Sequence, residues 1–193
     1  MILLASKSSG RLATLRAAGV EPLVRASSVD EEAVLHELAQ RRRTTGLATP
    51  SAAEQVQALA RAKALDVAAS TDPQDAEVIV GCDSMLLLDG ALLGKPHTVE
   101  ETVRRWKAQR GKDAQLLTGH AVWFGGEWVV DTVATTIRFG EVSDADIEAY
   151  ARSGQPLECA GAFTLEALGS WFIDSIDGDP TSVIGLSMPL LRR

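Results

Sequence analysis

At 193 residues, with 46% hydrophobic and 23% charged residues and a mean hydropathy of +0.04, the chain has the size and balance of one folded domain. It is long enough to bury a core without disulfides or metal staples. The net charge of −7 argues against binding of nucleic-acid polymers, which favour basic surfaces, but leaves room for a small anion held by a few local cations. No apolar run approaches the roughly 20 residues that a membrane helix needs.

The opening Met1-Ile2-Leu3-Leu4-Ala5 has no basic segment before its apolar stretch, so it reads as a first strand rather than an export signal. A cytoplasmic address follows, with Cys82 and Cys159 as reduced core residues. A Ser/Gly loop at 6–10 leads into a short helix from Arg11 to Ala18, with Gly19 at a left-handed cap position. Residues 22–26 read as extended and 31–43 as helix. Ser51 with Glu54 forms a capping box that opens a long helix to about Ala69. Thr71-Asp72-Pro73 breaks it, and 70–77 reads as a surface connection.

Val78–Cys82 is a continuous apolar run, the mark of a strand covered on both faces. Met85–Leu88 and Ala91–Leu93 form a hairpin about a type I′ Asp89-Gly90 turn. A helix capped by Thr98 and Glu101 ends near Arg110. Two long strands, 114–124 and 127–139, meet at Gly125-Gly126. Ser143 with Asp146 opens a helix that Gly154 stops. Strands near 161–165 and 170–176, a tight turn at 177–180 and a short last helix complete the reading. Alternation of helix and strand makes the fold class α/β.

Five places carry candidate chemistry. The loop at 6–10, opening a helix and flanked by Lys7 and Arg11, is either a phosphate cradle or a plain helix cap. Asp83 follows the buried strand, where a carboxylate either ligates Mg²⁺ and orients water or begins a turn. Gly94-Lys95-Pro96 invites comparison with a P-loop, but it is one residue short between Gly90 and Gly94, and Pro96 replaces the magnesium-binding hydroxyl. Lys95 remains a candidate phosphate cation or a turn residue.

Lys63 lies in the apolar stripe made by Val56, Leu59, Ala60 and Val67, so it either snorkels to water or reaches into a site. Asp30, Glu31 and Glu32, read alone, are dipole partners at a helix start. The three histidines, His36, His97 and His120, are scattered, and His120 reads as a strand residue rather than a base. No zinc-ligand spacing and no nucleophile elbow is present.

Taken in order, these motifs resemble those of the Maf family of nucleotide pyrophosphatases. Leu4-Ala5-Ser6-x-Ser8-x-x-Arg11 is similar to the family's L-A-S-x-S-P-R-R opening. Val29-Asp30-Glu31, Ala60-x-x-Lys63-Ala64, Gly81-Cys82-Asp83-Ser84, Leu93-Gly94-Lys95-Pro96, Thr118-Gly119, Ala160–Glu166, Ile176–Asp179 and Val183–Leu186 follow in register over nearly the whole chain. The resemblance implies a single domain over 1–193. It implies a mixed α/β fold with an elongated central sheet flanked by helices, two lobes around a nucleotide cleft, and kinship with the inosine-triphosphate pyrophosphatases. It also implies a homodimer.

The implied reaction is hydrolysis of nucleoside triphosphates to monophosphate and pyrophosphate with Mg²⁺ or Mn²⁺, in the service of clearing modified or excess nucleotides. By position, Asp83 would be the catalytic acidic residue, as general base or as metal ligand, joined at the metal by Glu31. Ser8, Arg11, Lys63 and Lys95 would hold phosphates, and Ser84 and Glu166 would concern base choice. Ser9-Gly10 replaces the family's Pro-Arg, which removes one cation and shifts weight to Arg11. Glu166 stands where a subgroup favouring uridine and thymidine triphosphates has Gln; an ionised Glu only accepts hydrogen bonds and suits a base that presents N–H groups. Rival readings are a nucleotide-binding regulator, for example of cell division, with little turnover, and a phosphomonoesterase.

Overall fold

A computed structural model describes residues 1–72 and 76–193. Seven strands form one mixed sheet in the hydrogen-bonding order β2-β1-β3-β5-β6-β7, with β4 on β3. The strands are β1 (Ile2–Leu4), β2 (Leu23–Val24), β3 (Val78–Leu88), β4 (Ala91–Leu93), β5 (Asp113–Phe124), β6 (Glu127–Phe139) and β7 (Ile173–Asp177). β1 runs parallel to β2 and β3, whereas β3–β4 and β6–β7 are antiparallel. Helices α1 (Ser9–Ala17), α2 (Glu31–Thr44), α3 (Ala52–Ala69), α4 (Val99–Gln109), α5 (Asp144–Arg152), α6 (Pro180–Ile184) and α7 (Met188–Arg192) complete the fold. Among the described residues no helix is long and apolar enough to cross a membrane.

The chain divides into two compact units, and β3, β5 and β6 each give residues to both. The first comprises Met1–Asp83, Thr118–Val133 and Gly185–Arg193. Its core has two clusters. Leu3, Ala5, Ala60, Ala64, Val67 and Ile79 make one, and Leu4, Leu15, Val80, Cys82 and Leu186 make the other. Helix α3 starts at the expected capping box of Ser51 and Glu54, which satisfies two otherwise orphaned backbone donors.

Two glycines let α3 lie close on its strands. A Cβ added at Gly81 of β3 would stand 2.4 Å from the Ala60 carbonyl oxygen, and one at Gly119 of β5 would stand 2.3 Å from that of Val56. Both contacts are with helix backbone, which has no flexible end to move aside.

The second unit comprises Ser84–Leu117 and Ala134–Ile184. Trp106 is its centre: fully buried, it meets Phe139, Tyr150 and Phe172 edge-on at centroid distances of 5.4, 5.7 and 5.5 Å. Its indole N–H donates to the Ala162 carbonyl at 2.7 Å, so the one polar atom of the ring is satisfied. Gln109 is the exception in this core. It is fully buried, and neither side-chain polar atom has a hydrogen-bond partner among the described residues. Gln109→Met is therefore expected to raise stability by about 1–2 kcal/mol, because two buried orphaned groups disappear at similar side-chain length. A lowered melting temperature would show that the amide is satisfied in solution.

Several expectations need correction. Asp83 does not follow the end of a strand: β3 runs through it to Leu88, and its last residues, Leu86–Leu88, pair with β4 through the Asp89-Gly90 turn, whose residues have φ of +49° and +81°. No strand forms at 161–165; Gly161 and Ala162 have φ of +68° and +60°, which extended backbone does not allow, and short 3₁₀ turns stand at Ala160–Ala162 and Leu168–Phe172. The last strand accordingly begins at Ile173, and the last helix is two, α6 and α7, parted at Gly185 with φ +117°. Cys82 is buried as expected, but Cys159 is only partly so. Pro73, and the middle of the expected connection at 70–77, lie outside the described residues.

Candidate active site

The site grows from four elements of the first unit: the loop into α1, helix α3, strand β3 and the start of α2. At the end of β1 the chain turns through Ser6-Lys7-Ser8 into α1, and the Ser8 hydroxyl accepts the Arg11 backbone N–H at 3.3 Å as the helix N-cap. This is the helix-cap reading, and it also leaves the first helical N–H groups pointing into the loop, as phosphate binding requires. Arg11 does not wave in solvent. Its Nε donates to the Gly185 carbonyl at 2.8 Å and its Nη1 to the Ser6 hydroxyl at 3.0 Å. Ser6 is thus part of the site, and only its place in the loop hinted at that. The residues after Gly185 are fixed in turn by the Ser187 N–H, which donates to buried His120 Nε2 at 2.9 Å; His120 is therefore a scaffold residue.

The second element is α3. Val56, Leu59, Ala60 and Val67 are buried, as the stripe predicts, and Lys63 lies among them with 15% of its side chain exposed. It is paired rather than snorkelled. Its ammonium is 2.5 Å from Asp83 Oδ1 on β3 and 2.7 Å from Glu31 Oε1 on α2. Glu31 is brought there by the start of α2, where Asp30 caps the helix by accepting the Ala33 N–H at 3.0 Å. Read alone, the three acids here are dipole partners at a helix start, and only the family resemblance singles out Glu31. Asp30 is one, Glu31 has a second task, and no local signal separates them.

Asp83 is the buried member, with 8% of its side chain exposed. Burial raises its pKa; Lys63 and Arg11 pull it down without cancelling that effect, and Glu31 adds to the rise. One of its oxygens, Oδ2, is buried without a hydrogen-bond partner among the described residues. The neighbouring Cys82 thiol is pushed up to about 11 by burial, so it is neutral at physiological pH and is no nucleophile.

No set of three or more His, Cys, Asp or Glu side chains among the described residues is placed to hold a metal. Two carboxylates sharing one cation, one with a buried oxygen to spare, do fit Mg²⁺ or Mn²⁺, which take one or two carboxylates and complete their shell with water and phosphate.

The remaining expected residues belong to the second unit. Lys95 pairs with Glu158 at 3.3 Å, and His97 Nδ1 lies 3.1 Å from the other oxygen of the same carboxylate. Glu166 is exposed, and its Oε2 accepts the Leu165 N–H at 3.1 Å. Ser84 is half-buried on β3, next in the chain to Asp83. The structure thus brings Glu31, Lys63 and Asp83 into direct contact and joins Ser8 with Arg11, while Ser84, Lys95 and Glu166 stand in a separate unit.

A family model described as Maf-like protein matches residues 1–193. A nucleoside triphosphate pyrophosphatase of Corynebacterium diphtheriae is 58% identical over 100% of this chain and 91% of its own length. One from Corynebacterium aurimucosum is 59% identical with the same coverage. A Rhodococcus jostii protein of the same name is 51% identical over 98% of this chain and 88% of its own length.

Proposed function

The chain belongs to the Maf-like family, and on that premise we propose that it is a nucleoside triphosphate pyrophosphatase whose reacting centre is Asp83 with Lys63 and Glu31. It hydrolyses nucleoside triphosphates to the monophosphate and pyrophosphate. The observation that carries the site assignment is the Lys63 ammonium shared between buried Asp83 and Glu31. Such an expensive burial of charge has no structural need in a helix stripe that is otherwise apolar.

Water attacks the α-phosphorus, the bond from that phosphorus to the α–β bridging oxygen breaks, and pyrophosphate departs. Asp83 orients the water and takes its proton, a role suited to a carboxylate whose pKa burial has raised. Arg11, pinned by Ser6 and Gly185, and the N–H groups after Ser8 face phosphate oxygens. Lys63 neutralises the charge that grows on the leaving group. Glu31 and Asp83 would hold a divalent ion, Mg²⁺ or Mn²⁺, which would supply charge neutralisation of the phosphates.

Product analysis tests the reaction. A panel of ordinary and modified triphosphates should release monophosphate and pyrophosphate; orthophosphate would point to a phosphomonoesterase, and binding without turnover to a regulator. Ser84 and Glu166 choose the base. Glu166→Gln, which adds a donor where there were only acceptors, is expected to move the ratio of guanine to uracil substrates toward uracil by about tenfold. An unchanged profile removes Glu166 from that role. The enzyme works on free nucleotides in the cytoplasm as a homodimer, and light scattering behind a sizing column tests the dimer.

A further inference from the structure

The contact that defines the site also bears on when a metal can enter it. The Lys63 ammonium is 2.7 Å from one carboxylate and 2.5 Å from the other, at a point where its own side chain is 15% exposed. Arg11 is the next cation whose field reaches Asp83. Two carboxylates and two cations make the set formally neutral. Asp83 Oδ2 offers one buried acceptor, but any ion it holds stands beside the ammonium that its partner oxygen already binds.

A bare divalent ion would add two positive charges to this neutral group, in which Lys63 and Asp83 are shielded from water although Glu31 is half exposed, or would have to expel Lys63 into a helix stripe of Val56, Leu59, Ala60 and Val67 that offers it no counter-charge. An ion that arrives with a polyphosphate faces neither penalty. Its charge is already offset, and the phosphate oxygens accept the donors that Lys63 gives up.

We propose that Lys63 is an internal counter-cation that keeps divalent metal off the Glu31–Asp83 pair until a triphosphate supplies the ammonium with phosphate oxygens in exchange. Metal binding by this chain is then conditional on the substrate's own polyphosphate. Lys63 acts as the gate as well as a phosphate contact. The inference rests on the assignment of Glu31 and Asp83 as the metal-holding pair.

The test is Mn²⁺ binding to the full chain at pH 8, followed by electron paramagnetic resonance of free Mn²⁺ and by water-proton relaxation of bound Mn²⁺. Without nucleotide, Lys63→Met is expected to bind Mn²⁺ at least about tenfold more tightly than the wild type, since it leaves two carboxylates without their ammonium. Methionine suits both the helix and the apolar stripe; a melting curve checks the fold, and Lys63→Gln replaces it if the curve fails. Adding an α,β-methylene nucleoside triphosphate should tighten wild-type binding by a similar factor over the analogue's own chelation, and should tighten that of Lys63→Met much less.

Equal Mn²⁺ affinity of wild type and variant, with no gain from the analogue, overturns the gate. Failure of the underlying assignment looks different: Mn²⁺ bound by Lys63→Met would then survive the addition of Glu31→Gln and Asp83→Asn, whereas the gate requires that these two changes abolish it.

Discussion

Asp83→Asn is expected to lower turnover by about 10²–10⁴-fold, the range that removal of a general base commands, while leaving the protein folded. Asparagine keeps an acceptor for the Lys63 ammonium, which stands 2.5 Å from Oδ1, but it takes no proton from water. The melting behaviour should separate this loss from damage. Burial raises the pKa of Asp83 in the folded chain, so the folded state binds that proton more tightly than the unfolded state does. The favourable contribution is full below the unfolded value and is lost as the pH rises through the folded one, which leaves an ionised Asp83 as a net cost at neutral pH. The variant is therefore expected to melt no lower than the wild type at pH 7–8, with its relative stability falling as the pH drops through the carboxylate range. Wild-type turnover should decline on acidification at a higher pH than an ordinary aspartate would give. Pyrophosphate release and calorimetry across pH check all three. Turnover within tenfold of wild type would remove Asp83 from the chemistry.

Gly81→Val is expected to be the most damaging small change away from the ionisable groups. A Cβ at this position stands 2.4 Å from the Ala60 carbonyl oxygen and 2.7 Å from the Ala64 Cβ, so α3 must lift from β3. Overpacking of this kind costs about 1–3 kcal/mol, and contact with backbone places it at the upper end. The displacement also separates the two residues that meet at 2.5 Å, because Lys63 rides on α3 and Asp83 on β3. The expected result is a lower melting temperature together with a fall in kcat larger than the fraction unfolded explains; a shift of about 1 Å in reacting groups is worth on the order of 10²-fold. Gly81→Ala should show the same two effects in smaller measure. A variant that melts early but retains full kcat at low temperature would confine Gly81 to packing.

Much of the site could be read before the fold was known, and the reasons are local. The Ser51–Glu54 box and the positions of Val56, Leu59, Ala60 and Val67 place α3 and turn Lys63 inward, since helical periodicity converts spacing directly into a face. The buried run at Val78–Cys82 likewise puts Asp83 beside the core. What spacing does not carry is the partner. Nothing near Glu31 says that it reaches the same ammonium as Asp83, some fifty residues on, and nothing near Arg11 says that its guanidinium is held by the carbonyl of Gly185. The expected strand at 161–165 failed for a different reason. Its apolar letters suit a strand, but Gly161 and Ala162 adopt positive φ, and the Thr164 N–H donates to the Tyr150 hydroxyl at 3.1 Å instead of a neighbouring strand. A side chain from α5 thus took the donor that a ladder would have used.

The hydrogen bond from Arg11 to Gly185 spans 174 positions of sequence, and this gives the chain a schedule. Arg11 and the loop before it are made ahead of the rest of the site, yet the carbonyl that orients the guanidinium is synthesised roughly 9–35 s later at 5–20 residues per second. Through that interval Leu4 and Leu15 lack Leu186, the residue that shares their cluster in the finished protein. The loop proposed to bind phosphate is thus the earliest part of the site to be made and among the last to be completed. A nascent chain halted between Asp83 and Gly185 holds Glu31, Lys63 and Asp83 without the arginine's anchor.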